Sequence, residues 1–256
     1  MISSDSPDLA EGHTARAFDA ALSELRLHAV AMGGLVIDQV ATAVRALLEG
    51  DASLAQLVLA RESQVNDLER NVDREAFRLI ALHQPMAMDL RMAKAVSRIT
   101  VELERVGDES KKIARFAARL AGGEPQGPVL AVARYLRNMA ELTSGMLRGA
   151  IRAIDESDAE LARQVAHRDV ELDAEFAAAL RQLLTLAMQD QRFLSATIDT
   201  VFALKGLERI GDHAKNIAEQ VMFVVSGEDV RHRRTKSNAG DEGDGSDAGT
   251  ERTSRF

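Results

Sequence analysis

The chain has 256 residues, 46% of them apolar and 28% charged, the composition of a globular protein with a core rather than of a disordered or fibrous one. A formal net charge of −8 and a pI near 5.4 argue against nucleic acid as a partner, because a phosphate-binding surface needs a basic face that displaces counterions. The absence of cysteine excludes a disulfide framework, a thiolate metal site and a cysteine nucleophile, and it fits a reducing compartment.

With few aromatic residues, only four Pro, and Ala, Leu, Arg and Glu dominant, local preference favours helix almost everywhere. The start, MISSDSPDLAEG, lacks the basic and apolar segments of a signal peptide. No uninterrupted apolar stretch reaches the roughly 18 to 20 residues that cross a bilayer, so the expected location is cytoplasmic. Helical spacing of Phe18, Leu22, Leu25, Val30, Val36, Val40, Val44 and Leu47 predicts helix one over 14–48, with Gly50 as its stop and Asp51 as the next N-cap. Helix two is expected over 52–82, closed near Pro85, and helix three over 88–120, closed by GGEPQGP at 122–128.

Three more periodic runs follow, over 129–154, 159–188 and 193–225. The fold expected is therefore all-α: two tandem, pseudo-symmetric three-helix bundles, at 14–121 and 129–232, joined by a linker at 122–128. The last stretch, 233–256, is rich in Gly, Ser, Asp and Thr with little to bury, and is expected to be a disordered tail.

A repeat supports the duplication. LERVGD at 103–108 returns as LERIGD at 207–212, an offset of 104 residues, and at the same offset Lys111 matches Lys215, Ile113 matches Ile217 and Ala114 matches Ala218. Within each hexamer the Glu and Asp, Glu104 and Asp108 or Glu208 and Asp212, lie about 40° apart on a helix, opposite Leu103, Val106, Ile113, Ala117 and Leu120 in the first copy. The acids thus face outward.

Helix two carries a second outward stripe, Glu62, Asn66, Glu69 and Asp73, within about 60° of arc. Helix five repeats only half of it, as Asp169 and Asp173, with Phe176 and Leu180 at the other two positions. Clustered carboxylates need a cation to offset their repulsion, and oxygen donors without His or Cys select Mg, Mn, Ca or iron ions over zinc. The competing reading is a solvated face neutralised by Arg61, Arg70, Arg105 and Lys111 in exposed pairs worth about 0 to 1 kcal/mol each. A di-iron enzyme is a poorer alternative, because such bundles project Glu-x-x-His pairs inward and this chain has none in its expected helices. The histidines are left without a role.

The chain resembles the PhoU phosphate-transport regulators from about Phe18 to His232, on FDAALSELRLHAVAMGGLV, the GD before helix two, QVNDLERNVDREAFRLIALHQPMAMDLR, LERVGD, LERIGDHAKNIAE and GEDVRH. The resemblance implies two symmetric bundles whose surface acids bind multinuclear metal clusters, with divalent or ferric ions (Mg, Mn or Fe) as cofactors. By position it assigns Glu62, Asn66, Glu69, Asp73, Glu104 and Asp108 to one site, and Asp169, Asp173, Glu208, Asp212 and Asn216 to the other. It also implies a non-enzymatic cytoplasmic adaptor that restrains high-affinity phosphate uptake and damps the phosphate-starvation response. The implied partners are the phosphate ABC transporter, through its ATPase subunit, and a membrane sensor histidine kinase; a homodimer is expected. The first repeat departs from the family in having Lys112 where the second has Asn216, and a cation there is a poor ligand.

Gly107 and Gly211 stand mid-helix, where Gly costs about 1 kcal/mol relative to Ala. Their duplication suggests that a neighbouring helix must approach there, so that acids of both helices can share cations.

Overall fold

Helix follows from the composition and from the duplicated caps, and the computed structural model describes residues 8–121 and 127–227, with side chains from Arg16 onward. The first helix, α1 (Asp8–Glu49), starts six residues before the expected boundary, because 8–13 is helical without an apolar stripe to mark it. Gly50 then turns the chain at φ +66°, a left-handed conformation that costs Gly little. Asp51 caps α2 (Ala52–Ala60), its Oδ1 accepting from the amides of Ser53 at 2.7 Å and Leu54 at 3.3 Å.

The expected second helix is two segments, α2 and α3 (Glu62–His83), because at Arg61 the backbone bond shifts to the carbonyl of Val58, three residues back. The long α4 (Ala87–Ala121) closes the first repeat. In the second repeat, α5 (Gly127–Ala131) and α6 (Ala133–Glu156) replace the single helix expected from 129, broken at Val132. Asp158 caps α7 (Ala159–His167) as Asp51 caps α2, and the ladder slips again at Arg168 before α8 (Asp169–Gln189). A 3₁₀ turn (Gln191–Phe193) leads into α9 (Leu194–Ser226), ended by Gly227 at φ +73°. Residues 127 and 128 of the expected linker thus belong to α5. The rest of the linker, residues 228–232 and the expected tail lie outside the described residues.

The two bundles share one core. α1, α4, α9 and α6 pack in a closed ring, with α2 and α3 against α1 and α4 on one side, and α7 and α8 against α6 and α9 on the other. α4 and α9 run antiparallel: the Arg91 Nε donates to the Val224 carbonyl at 3.3 Å at one end, and Arg119 pairs with Asp199 at 2.6 Å at the other. α1 is apolar enough over Arg16–Glu49, with mean hydropathy 1.5 in its most apolar window, to pass the length and composition test for a bilayer span. Here half of that window is buried, with Ala29, Met32, Val36, Val40 and Ala43 wholly inside the core. The absence of a long apolar run, expected from the sequence, holds only if α1's scattered polar residues are counted as interruptions.

Candidate functional site: the paired acid faces

Burial of Leu103, Val106, Ile113, Ala117 and Leu120 fixes the rotation of α4, so Glu104 and Asp108 must face the surface. Buried Val65 and Val72 do the same for α3 and bring Glu62 and Glu69 to the same seam. Lys111 sits at its centre: the ammonium, 13% exposed, donates to the Glu62 carboxylate and to Asp108 Oδ1 at 2.8 Å. Burial raises the Glu104 pKa above its ordinary value, and the charges of Asp108 and Glu69 push it further, against partial relief from Lys111 and Arg105. Four acids therefore share one field. Asn66 is half-buried on the same stripe, while Asp73, farther along α3, accepts a hydrogen bond from the Ser97 hydroxyl at 2.6 Å.

The second face repeats the plan. Lys215 donates to the Asp169 carboxylate, the counterpart of Lys111 with Glu62. Burial raises both Asp173 and Asp212; for Asp173 the next contributions come from Asp169 and then Glu208, and for Asp212 from Glu208 and then Asp169. Glu208 receives Lys205 on Oε1 at 2.6 Å, but its Oε2 is buried with no hydrogen-bond partner. A buried carboxylate oxygen without a donor is costly, and a cation beside it would relieve that cost. Lys205 also lies 5.5 Å from the Phe176 ring, at the position that Glu69 holds in the first repeat.

The cations that a solvated face would use are mostly engaged elsewhere: Arg61 pairs with Asp38, Arg70 with Asp67 and Arg105 with Glu102. Only Lys111 of the four meets the acids assigned to the site. Among the described residues no three carboxylate or imidazole groups are gathered as they would be around one bound ion; Lys111 holds Glu62 and Asp108, and Lys215 holds Asp169. The donor set is nonetheless all oxygen and excessively negative, which fits a hard cation.

Two assignments change. Asn216 turns away from the second face, its Nδ2 donating to Glu102 Oε2 of the other repeat at 3.1 Å. Lys112 does not approach the first face, because it pairs with Glu109 at 2.8 Å; Lys111 is the cation among the acids.

Close helix approach at the repeated glycines is present, against Leu172 in the second repeat and against Val65 and Gln39 in the first. A Cβ on Gly211 would stand 2.1 Å from Leu172 Cδ2 of α8, and one on Gly107 3.4 Å from Val65 Cγ1 of α3 and 3.3 Å from Gln39 Oε1 of α1. The glycines therefore set the spacing of the helices that carry the acids.

A charged seam between the repeats has no signature in the sequence. His213 Nδ1 lies 2.8 Å from Glu102 Oε2, and Arg209 pairs with Glu109 at 3.1 Å. Burial opposes ionisation of Glu102, yet hydrogen bonds from His213 and Asn216, with the nearby charges of His213 and Arg105, hold its pKa below the ordinary value. The partners that meet across this seam stand a hundred residues or more apart, so no helical periodicity connects them.

An all-α chain whose repeated hexamer returns on α4 and α9, with an outward acid face on two adjacent helices of each repeat, is a duplicated helical scaffold with candidate cation sites. The family model described as the PhoU domain matches it twice, over residues 30–117 and 136–221. The chain is 45% identical over 226 residues to a phosphate-specific transport system accessory protein PhoU homolog of Pseudomonas putida, spanning 88% of this chain and 86% of that protein. It is 40% identical over 224 residues to a protein of that description from Caulobacter vibrioides, covering 88% of this chain and 96% of the relative. The crystal structure of PhoU from Pseudomonas aeruginosa is similar with a TM-score of 0.77 at 42% identity, over 82% of this chain and 100% of that one. The phosphate transport system regulatory protein PhoU from Streptococcus pneumoniae is similar with a TM-score of 0.76 at 26% identity, over 83% and 99%. The chain belongs to the PhoU family.

Proposed function

We propose that the chain is a cytoplasmic, non-catalytic regulator of phosphate transport that restrains high-affinity uptake and damps the phosphate-starvation response through protein contacts. The observation that carries this reading is the family match across both repeats, with relatives named as accessory proteins of a phosphate-specific transport system. The partners are the ATPase subunit of the phosphate ABC transporter and the sensor histidine kinase, and the chain reaches the membrane through them, as a homodimer.

The acid faces take hard metal ions: Glu62, Glu69, Glu104 and Asp108, with Asn66 and Asp73 at the margin, and Asp169, Asp173, Glu208 and Asp212 in the second repeat. A bound cation supplies the positive charge that tethers the two helices of each face. The chain's own residues set the conditions for it: Leu172 and Val65 hold the helices in register, the raised acids store repulsion that a cation relieves, and the lysines compete for the same carboxylates.

The test is a pull-down of tagged chain from phosphate-replete cells, with a chain carrying Glu208→Gln and Asp212→Asn beside it, and elemental analysis of both. Co-purification of the transporter ATPase and the kinase with the parent, and loss of metal from the double variant, is the expected result. Absence of both partners from the parent overturns the adaptor reading; equal metal content in the two overturns the assignment of the second face.

A further inference from the structure

The two repeats treat one arginine differently. At an offset of 107 residues Asp51 corresponds to Asp158, and Arg61 at the α2–α3 break corresponds to Arg168 at the α7–α8 break. The same offset carries Asp38 on α1 to Gly145 on α6. In the first repeat Arg61 is paired with Asp38. In the second the carboxylate is gone, and the Arg168 guanidinium lies against bare backbone: a Cβ on Gly145 would be 2.9 Å from its Nη1.

The Arg168 side chain has no hydrogen bond or ion pair among the described residues, and neither has the Arg148 side chain, one helical turn beyond Gly145. Both line one open groove of about 930 Å³ between α6 and α8, together with Asn138, Glu141, Glu171 and Glu175. Asn138 holds Glu175 at 3.3 Å, whereas Glu141 and Glu171 have no ion pair among the described residues. The groove thus offers two free guanidiniums beside two free carboxylates.

We propose that this groove is a docking site for a protein segment that presents a carboxylate to Arg168 and Arg148, flanked by basic side chains that meet Glu141 and Glu171. The first repeat supplies the template, since its equivalent arginine already binds a carboxylate at the corresponding position. A guanidinium fork accepts a carboxylate in a bidentate, charge-assisted pair, which fixes orientation as well as contributing energy. A free inorganic anion lacks the positive charges that the two glutamates call for, so mixed charge in the groove selects a segment of mixed charge. The site is separate from the acid faces between α8 and α9, and it stands or falls independently of metal binding.

The full chain, labelled to report arginine Nε–H resonances, is titrated with the end-blocked peptide Lys-Ala-Ala-Glu-Ala-Ala-Lys, with its Gln-for-Glu counterpart, and with inorganic phosphate. The Glu peptide is expected to shift Arg168 and Arg148 and to leave Arg61 unmoved, with the other two probes about tenfold weaker or more, the worth of one charge-assisted pair. Gly145→Asp rebuilds the internal pair and abolishes the shift, and Asp38→Gly exposes Arg61 to the same peptide. If Gly145→Asp fails to fold, Arg168→Gln serves instead and must remove the shift of Arg148. The proposal is overturned if the Glu peptide moves neither arginine, if the Gln peptide binds equally, if Gly145→Asp retains the shift, or if phosphate binds as tightly as the Glu peptide.

Discussion

The inner positions of the two repeats match while the outer ones have diverged. At the 107-residue offset Met32 corresponds to Met139, Val36 to Thr143, Val40 to Leu147 and Leu47 to Ile154, and all eight are fully enclosed. On the surface Asp38 has become Gly145, Glu69 has become Phe176, and Lys94 and Arg98 have become Ile198 and Phe202, which are 48% and 55% exposed. Packing constrains volume at every inner position, so a duplicated core has little room to drift. Surface positions are constrained only by what they bind, and at these four positions the second repeat has lost a charge that the first carries.

The comparison is tested most severely in the core. Leu103 and Leu207 occupy the same position of the repeated hexamer, and both are 0% exposed. Each replaced by Ala should lose about 2–5 kcal/mol, by similar amounts; chemical denaturation of the two variants reads this. Loss from one alone would show that the repeats do not share a cooperative core.

The repeated glycines should then separate the repeats. Gly211→Ala drives a Cβ into buried Leu172 and should cost about 1–3 kcal/mol, as overpacking does. Gly107→Ala meets Val65 at ordinary contact distance and Gln39 only slightly tightly, so the helix propensity gained, about 1 kcal/mol, leaves it near neutral. Equal melting temperatures for the two variants would refute this difference.

The caps should behave alike. Asp51 and Asp158 each accept two amide hydrogen bonds at the start of α2 and α7, so each replaced by Ala should cost about 1 kcal/mol. A cost at one cap and none at the other, in parallel denaturant titrations, would show that one of these short helices is held by packing alone.

The gentlest effect is the dependence on pH. Glu104, Asp173 and Asp212 have folded pKa values above the ordinary 4.5 and 3.8, so between those values and the raised ones the native chain holds protons that the unfolded chain has released. In that window stability rises as pH falls. Glu102 works in the opposite direction, because its lowered pKa contributes stability that is full above 4.5 and lost as pH falls through the folded value. A metal-stripped chain should therefore melt highest in mild acid. Asp173→Asn with Asp212→Asn should flatten the rise more than Glu104→Gln does, and saturating Mg²⁺ or Mn²⁺ should remove it. A melting temperature independent of pH after chelation would contradict the charge crowding of both faces.

Much of this was legible in the chain. Periodic apolar residues, the Gly50–Asp51 stop and cap, and the repeated hexamer led to six long helical runs and to outward acids, because each depends only on residues a few positions apart. The breaks at Arg61 and Arg168 were not, since Arg does not disfavour helix and nothing local marks the slip in the ladder. By sequence Lys111 is one of four surface cations, whereas in the structure it joins Glu62 and Asp108 in the first face.

By itself the sequence determined the helices, the duplication and the sidedness of each helix, because periodicity and capping are local chemistry. The tertiary structure decided which helices share a ring, which cation each carboxylate meets, and that Asn216 and His213 serve the seam with Glu102 while Arg168 is left without a carboxylate. Those outcomes depend on the distance between groups far apart in the chain, and charge pairing falls off over a few ångströms that only packing can set.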